Sequence, residues 1–218
     1  VPRISKTTGV SEEVAGRNAR YGFFNRLCIE KGFTKIAVAH NLNDNAETVL
    51  LNLLRGSGLK GLCGIPKTRD NIIRPLIYCS REEIEGYCKE NDLSFVTDST
   101  NLSNDYTRNK IRLNIMPQIK EGINSQAIAH MEATAANLTE IDDYMESQCE
   151  KEMARIVKLR GQGVFIDGEG LENIHKALQR YIVKKCIYQV AGKAKDISSV
   201  HINSVMQLFN MTVGKKIS

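Results

Sequence analysis

The chain has 218 residues, enough for one full domain and a smaller companion at about 100–200 residues per domain. Its 42% hydrophobic and 25% charged residues are those of a folded globular protein; with no run of roughly 18 apolar residues and no signal-peptide pattern, a membrane span is excluded and a soluble, cytoplasmic protein is expected. The net charge of +5 is uneven, +6 over residues 1–80, −5 over 81–160 and +4 over 161–218, which suits a polyanionic partner such as RNA or a nucleotide and is almost as well explained by lysines on solvated faces.

In chain order, the first predicted element is a helix opening at Ser11-Glu12-Glu13 and ending near Lys31-Gly32, with acidic residues in its first turn. Residues 34–39 form a β-branched apolar run of the kind found in parallel strands. Asn43 or Asn41 then caps a helix whose apolar positions Ala46, Val49, Leu50, Leu53 and Leu54 keep helical spacing until Gly56 stops it. Residues 72–77 read as another strand with Pro75 at an edge or at its end. Ser80-Arg81-Glu82-Glu83 is a capping box opening a helix to about Asn91, and residues 94–97 are a further strand before a polar loop. This alternation predicts an α/β fold with a parallel sheet. From Asn124 to about Arg160 the apolar residues recur at three or four, as in one long amphipathic helix or two with a break. A small helical unit follows, with helices expected over residues 171–190 and 199–211. The expected domains are therefore residues 1–120, a connecting helix over 121–160, and a helical domain over 161–218.

Six cysteines, Cys28, Cys63, Cys79, Cys88, Cys149 and Cys186, never form a C-x-x-C pair, which argues against zinc and for burial as small apolar residues.

Several residues could carry chemistry. His40 and Asp44 stand four apart where a strand yields to a helix, so both could face one pocket. An aspartate there can hold Mg²⁺ on nucleotide phosphates and a histidine can bond a phosphate or reacting group, although a lone histidine at a strand end is often a structural hydrogen-bonder. Gly56, Gly58, Gly61 and Gly64 lie in one loop beside Arg55, Lys60 and Lys67, a setting for a phosphate or simply for a helix C-cap. Arg108 and Arg112 share a helix face after the polar loop 97–107; they suit paired contacts with phosphate or carboxylate, or a solvated pair. Arg20 is a similar case. Lys184, Lys185, Lys193 and Lys195 cluster in the helical part.

The ordered segments Ala19 to Phe24, His40-Asn41-Leu42-Asn43-Asp44-x-x-Glu47-Thr48, Arg55-Gly56-Ser57-Gly58-Leu59-x-Gly61-Leu62, Arg74-Pro75-Leu76, Asp98-Ser99-Thr100-Asn101 and Arg108-Asn109-x-Ile111-Arg112 resemble the bacterial tRNA(Ile)-lysidine synthetase family. Residues 171–218, with Leu178-Gln179-Arg180 and Gly214-Lys215-Lys216, resemble its small helical domain more loosely. The resemblance implies an N-type ATP pyrophosphatase fold, similar to adenine nucleotide alpha hydrolases. It also implies ATP-dependent ligation of free L-lysine to C2 of the wobble cytidine of an isoleucine tRNA with a CAU anticodon, through an adenylated base. By position, His40 and Asp44 would serve nucleotide and Mg²⁺, with Arg55, Gly56 and Gly58 bordering the nucleotide. Arg20, Arg108 and Arg112 would join His40 and Asp44 in catalysis, and Lys184, Lys185, Lys193 and Lys195 would hold the tRNA. The family's Ser-Gly-Gly-x-Asp-Ser ATP loop is absent, and Asn43 stands where many members carry aspartate. The chain is accordingly expected to be part of a longer enzyme, its nucleotide domain incomplete at the N-terminus and inactive alone, with a homodimer an open assembly. A related tRNA-thiolating enzyme and a non-catalytic RNA-binding module are the competing readings.

Overall fold

A computed structural model describes residues 12–95, 107–161, 163–192 and 199–209, arranged as two compact units, Val1–Ala136 and Asn137–Ser218. The expected loop residues Asp98 to Asn101, the lysines Lys193 and Lys195, and the segment Gly214-Lys215-Lys216 lie outside the described residues.

The first unit opens with helix α1 (Glu12–Lys31), closed as expected by Gly32 at φ +69. Strand β1 (Ile36–Ala37) leads to helix α2 (Leu42–Leu54) and the short α3 (Leu59–Leu62). Strands β2 (Thr68–Arg69) and β3 (Ile72–Ile73) precede helix α4 (Arg81–Glu90), which the Ser80/Glu83 capping box starts as the sequence predicts. A helical rod follows: α5 (Thr107–Lys110), a π-helical stretch Ile111–Ile115, and α6 (Met116–Gly122). In the π stretch the Met116 amide donates to the Ile111 carbonyl, five residues back.

The sheet is small and mixed rather than wholly parallel, in the order β1-β3-β2. β1 pairs with β3 in parallel, Ile36 opposite Ile72 and Ala37 opposite Ile73, and β2 pairs with β3 antiparallel. Strand β2 was not legible because a two-residue strand has no periodicity; its connection to β3 turns through Asp70, whose φ of +55 an aspartate tolerates. The strand expected over residues 72–77 stops after Ile73, ahead of Pro75, which has no amide hydrogen to continue a ladder. Ser94 and Phe95 are not in a strand. Ala46, Ile111, Met116 and Ile128 form the core beside α2, with Leu42, Leu50, Leu51, Ile119 and Met131 packed against them.

Helix α7 (Ala127–Ile156) is one unbroken helix. The helical periodicity expected to reach Arg160 ends four residues earlier, where β4 (Val157–Arg160) and β5 (Gly163–Ile166) form an antiparallel hairpin turning at Gly161, φ +59. Alternation in Val157-Lys158-Leu159-Arg160 and a flanking glycine pair favour the hairpin over a further helical turn. The helix expected from residue 171 divides into α8 (Gly168–Glu172) and α9 (Lys176–Ala191), the His175 ring capping the Ala177 amide between them, and α10 (Ser199–Leu208) follows. Cys149, Ile156, Leu171, Ile182, Val183 and Cys186 form the core of the second unit. Among the described residues no helix is long and apolar enough to cross a membrane.

Candidate functional site

Strand β1 and helix α2 build the site from their junction. The Val38 amide donates to the Ile73 carbonyl at 2.9 Å, carrying the β1–β3 pairing past the strand's end, and the chain then delivers His40 and Asn41 to the helix start. Asn41 is the N-cap: its side chain accepts from the Asp44 amide at 3.0 Å, and Asp44 Oδ2 accepts from the Asn41 amide at 3.1 Å. This reciprocal cap fixes the Asp44 carboxylate, leaving Oδ1 directed elsewhere.

Arg108 and Arg112 take up that oxygen. Arg112 Nη2 donates to Asp44 Oδ1 at 2.7 Å and to Glu47 Oε2 at 2.9 Å, while Arg112 Nε donates to Glu47 Oε1 at 2.6 Å. Arg108 donates to Glu47 Oε2 at 3.1 Å, to Asp44 Oδ1 at 3.2 Å and to the Asp44 carbonyl at 3.3 Å. Two carboxylates and two guanidiniums thus form one network across α2 and the helical rod. The forked hydrogen bonds that Arg112 donates to Glu47, ahead of the opposing effect of burial, raise the Arg112 pKa above its ordinary value. Acidic residues near the start of α2 also meet the favourable end of its dipole.

Glu47 is the central residue that sequence reasoning did not single out, and it is only 3% exposed. Its signal was its place three residues after Asp44 on the same helix face, matched by an arginine pair four apart elsewhere.

A cavity of about 530 Å³ is lined by Arg20, His40, Asp44, Arg108 and Arg112, bringing together all five residues expected to serve catalysis; Arg17 and Tyr21 also face it. Because Asp44 and Glu47 offset Arg108 and Arg112, the positive surplus among the described lining residues comes from Arg17 and Arg20. Burial lowers the His40 pKa below its ordinary value, with Arg74, Arg108 and Arg17 pushing the same way and Asp44 opposing, so the ring is neutral near pH 7. Its buried Nδ1 has no hydrogen-bond partner among the described residues.

Arg55 lines a second cavity of the same unit, beside Gly64, whereas Gly56 and Gly58 line neither. Gly56 ends α2 at φ +70, a conformation that glycine adopts without strain. In the second unit Lys185 is held by Glu146 at 2.5 Å and Glu150 at 3.2 Å, and Lys184 lies over the Tyr188 ring at 5.7 Å. Lys185 is therefore already paired rather than available as a bare phosphate contact.

A protein-held Mg²⁺ does not fit Asp44 as arranged: Oδ1 accepts from two guanidiniums, Oδ2 caps the helix, and no group of three metal-binding side chains occurs among the described residues. A cationic cavity with an unpartnered ring nitrogen does fit the phosphates of a nucleotide.

Residues 3–119 match the model of the PP-loop domain family, an ATP-binding domain. Along its whole length the chain is 42% identical to the tRNA(Ile)-lysidine synthase of Caldanaerobacter subterraneus subsp. tengcongensis, covering 46% of that protein. It is 37% identical to the enzyme of the same name from Clostridium tetani, again over the whole chain and 47% of the relative. The Clostridioides difficile counterpart is 37% identical over 95% of this chain and 46% of its own length. The chain spans about half the length of the curated relatives it matches.

Proposed function

The chain belongs to the PP-loop domain family, and from that premise and its full-length similarity to tRNA(Ile)-lysidine synthases we propose that it forms the nucleotide-using half of an enzyme that ligates lysine to a tRNA. The observation that carries the reading is the convergence of Arg20, His40, Asp44, Arg108 and Arg112 on one cavity.

In the proposed reaction the C2 oxygen of the wobble cytidine attacks the α-phosphorus of ATP. The bond to the β-phosphate breaks and pyrophosphate leaves. The amine of free lysine then attacks C2, the C2–O bond breaks, and AMP leaves with the electron pair.

Arg17 and Arg20 supply the positive field for charge developing on the phosphate, since guanidinium stays protonated throughout. Arg108 and Arg112, held by two carboxylates each, are preorganised in the same cavity and need little rearrangement when a substrate arrives. Neutral His40 presents Nδ1 to a phosphate oxygen or to the amine that must lose a proton, as donor or acceptor according to tautomer. Isoleucine tRNA with a CAU anticodon and free L-lysine are the proposed substrates, with Mg²⁺ arriving on the nucleotide phosphates rather than on Asp44. Lys184, Lys193 and Lys195 are proposed to meet RNA phosphates.

Sulfur transfer has less support, because no cysteine is among the described residues lining either cavity. The test is transfer of labelled lysine to unmodified isoleucine tRNA with ATP and Mg²⁺, using the chain alone and with a separately supplied segment bearing a Ser-Gly-Gly-x-Asp-Ser loop. Label on the RNA with both pieces is expected. A complex of the two pieces that binds tRNA but transfers no lysine would sink the ligase reading in favour of a non-catalytic RNA-binding module.

A further inference from the structure

The second cavity of the first unit, about 590 Å³, differs in kind from the first. Arg17, Arg55, Arg69, Arg74 and Arg108 line it together with His40, and no aspartate or glutamate does so among the described residues. Among the described residues, Arg108 alone of these pairs with carboxylates, those of Asp44 and Glu47, which lie outside the lining.

Arg74 is the unusual member. It is 3% exposed, and its Nη1 donates to the Pro66 carbonyl at 2.6 Å, yet its buried Nε has no partner among the described residues. Burial lowers its pKa, so the charged form is held at a cost. His40, which lines both cavities, carries the other buried side-chain polar atom without a partner among the described residues, its Nδ1. A nearly enclosed guanidinium with an unmet N–H, sharing one cavity with further guanidiniums, is costly unless an anion completes it.

The glycine-rich loop that supplies Gly64, Ile65 and Pro66 to the lining is held in place. Asn45, 6% exposed, accepts from the Ile65 amide at 2.7 Å, and Asn52 donates to the Gly61 carbonyl at 2.7 Å, stitching the glycine-rich loop onto α2. Arg74 itself ties the loop's end at Pro66.

We propose that this arginine-walled cavity is a binding site for phosphate oxyanions, with Arg69 and Arg74 as ligands alongside Arg17 and Arg55. The phosphate belongs to the phosphoanhydride chain of a nucleotide or to the backbone of an RNA; that choice of source rests on the function proposed above, whereas the anion chemistry does not. Forked guanidiniums match phosphate geometry, and among the described residues no carboxylate lines the cavity to offset their charge.

The test titrates the full chain by calorimetry with inorganic pyrophosphate and, separately, with a short single-stranded RNA. Wild type, Arg69→Met and Arg74→Lys are compared after circular dichroism establishes folding. Arg69 is exposed on β2, so its replacement reads binding even if the buried Arg74 variant fails to fold. Loss of about tenfold in pyrophosphate affinity, the scale of one charge-assisted contact, assigns the cavity to the nucleotide. A similar loss confined to RNA assigns it to the backbone phosphate. Affinities for both ligands that stay unchanged in every folded variant, or a wild-type chain that binds neither, would overturn the site. Lysine transfer plays no part in this titration, so each proposal can fail while the other stands.

Discussion

The carboxylate of Glu47, almost wholly out of solvent, accepts the Nε–H of Arg112 at 2.6 Å across 65 residues of sequence. The same carboxylate accepts from Arg108, so one short side chain on α2 sets the orientation of both arginines.

Replacing Glu47 by glutamine keeps its shape and removes its charge, leaving Arg112 without its strongest partner. The variant should lose about 1.5–3 kcal/mol, as for hydrogen bonds to charged groups in partly buried settings. Urea unfolding of Glu47→Gln, Arg112→Met and the double variant measures it. Additive losses would show that the pair is not coupled.

Gly56 and Gly64 both adopt positive φ, +70 and +72, yet their surroundings differ. A Cβ at Gly56 meets nothing within 4 Å, whereas one at Gly64 collides with the side-chain oxygen of Asn45 that holds the Ile65 amide. Gly56→Ala should cost about 1–2 kcal/mol from the left-handed conformation alone. Gly64→Ala should cost at least about 1 kcal/mol more through the disturbed hydrogen bond. Equal shifts in the denaturant midpoint would contradict the close packing of loop on helix.

His40 makes stability pH-dependent in a defined direction. Its folded pKa lies below the ordinary 6.5, so between the two values the unfolded chain binds more protons and stability falls as pH drops through 6.5 toward the folded value. Above 6.5 both states are neutral at this ring and the contribution is fully present. His40→Asn should flatten the slope of unfolding free energy against pH in that window. An unchanged slope would mean the ring does not titrate as its burial requires.

The thiols should separate into two reactivity classes. Burial pushes Cys149 up to about 11 and raises Cys186, while Cys28, Cys63, Cys79 and Cys88 are only partly buried. Near neutral pH a colorimetric disulfide reagent should modify these four first and the buried two at least about tenfold more slowly, since the thiolate is the reactive form. Six equal rates would place the core of the second unit in rapid exchange with solvent.

Much of this architecture was readable from residue chemistry acting over a few positions. Asn41 and Ser80 cap their helices because a short polar side chain reaches an amide three residues on, and Gly32 and Gly56 close helices because the left-handed turn suits them. Spacing alone pairs His40 with Asp44 and Arg108 with Arg112, but only the family pattern brings the two pairs together, since nothing local joins residue 44 to residue 112. Glu47, though part of the family motif, carries no expected role for the same reason: a glutamate on a helix reads as solvated until its arginines are known. Arg74 looked like part of a strand, and its burial follows from the turn after β3, which no alternation announces. The hairpin β4–β5 was lost because the helical spacing of α7 runs on plausibly into Val157 and Leu159.

The wide turn of the rod after α5 has a geometric consequence. Ile111 and Met116, five residues apart, both reach the core of the first unit. A regular α-helix turns about 100° per residue and would set such a pair some ~140° apart. The π stretch works as a phase shifter, absorbing a surplus residue so that Ile111 and Met116 both meet the core while Arg108 before the stretch and Arg112 within it address the ion network. One short rod thereby meets two surfaces whose spacings are incommensurate with a single α-helical repeat.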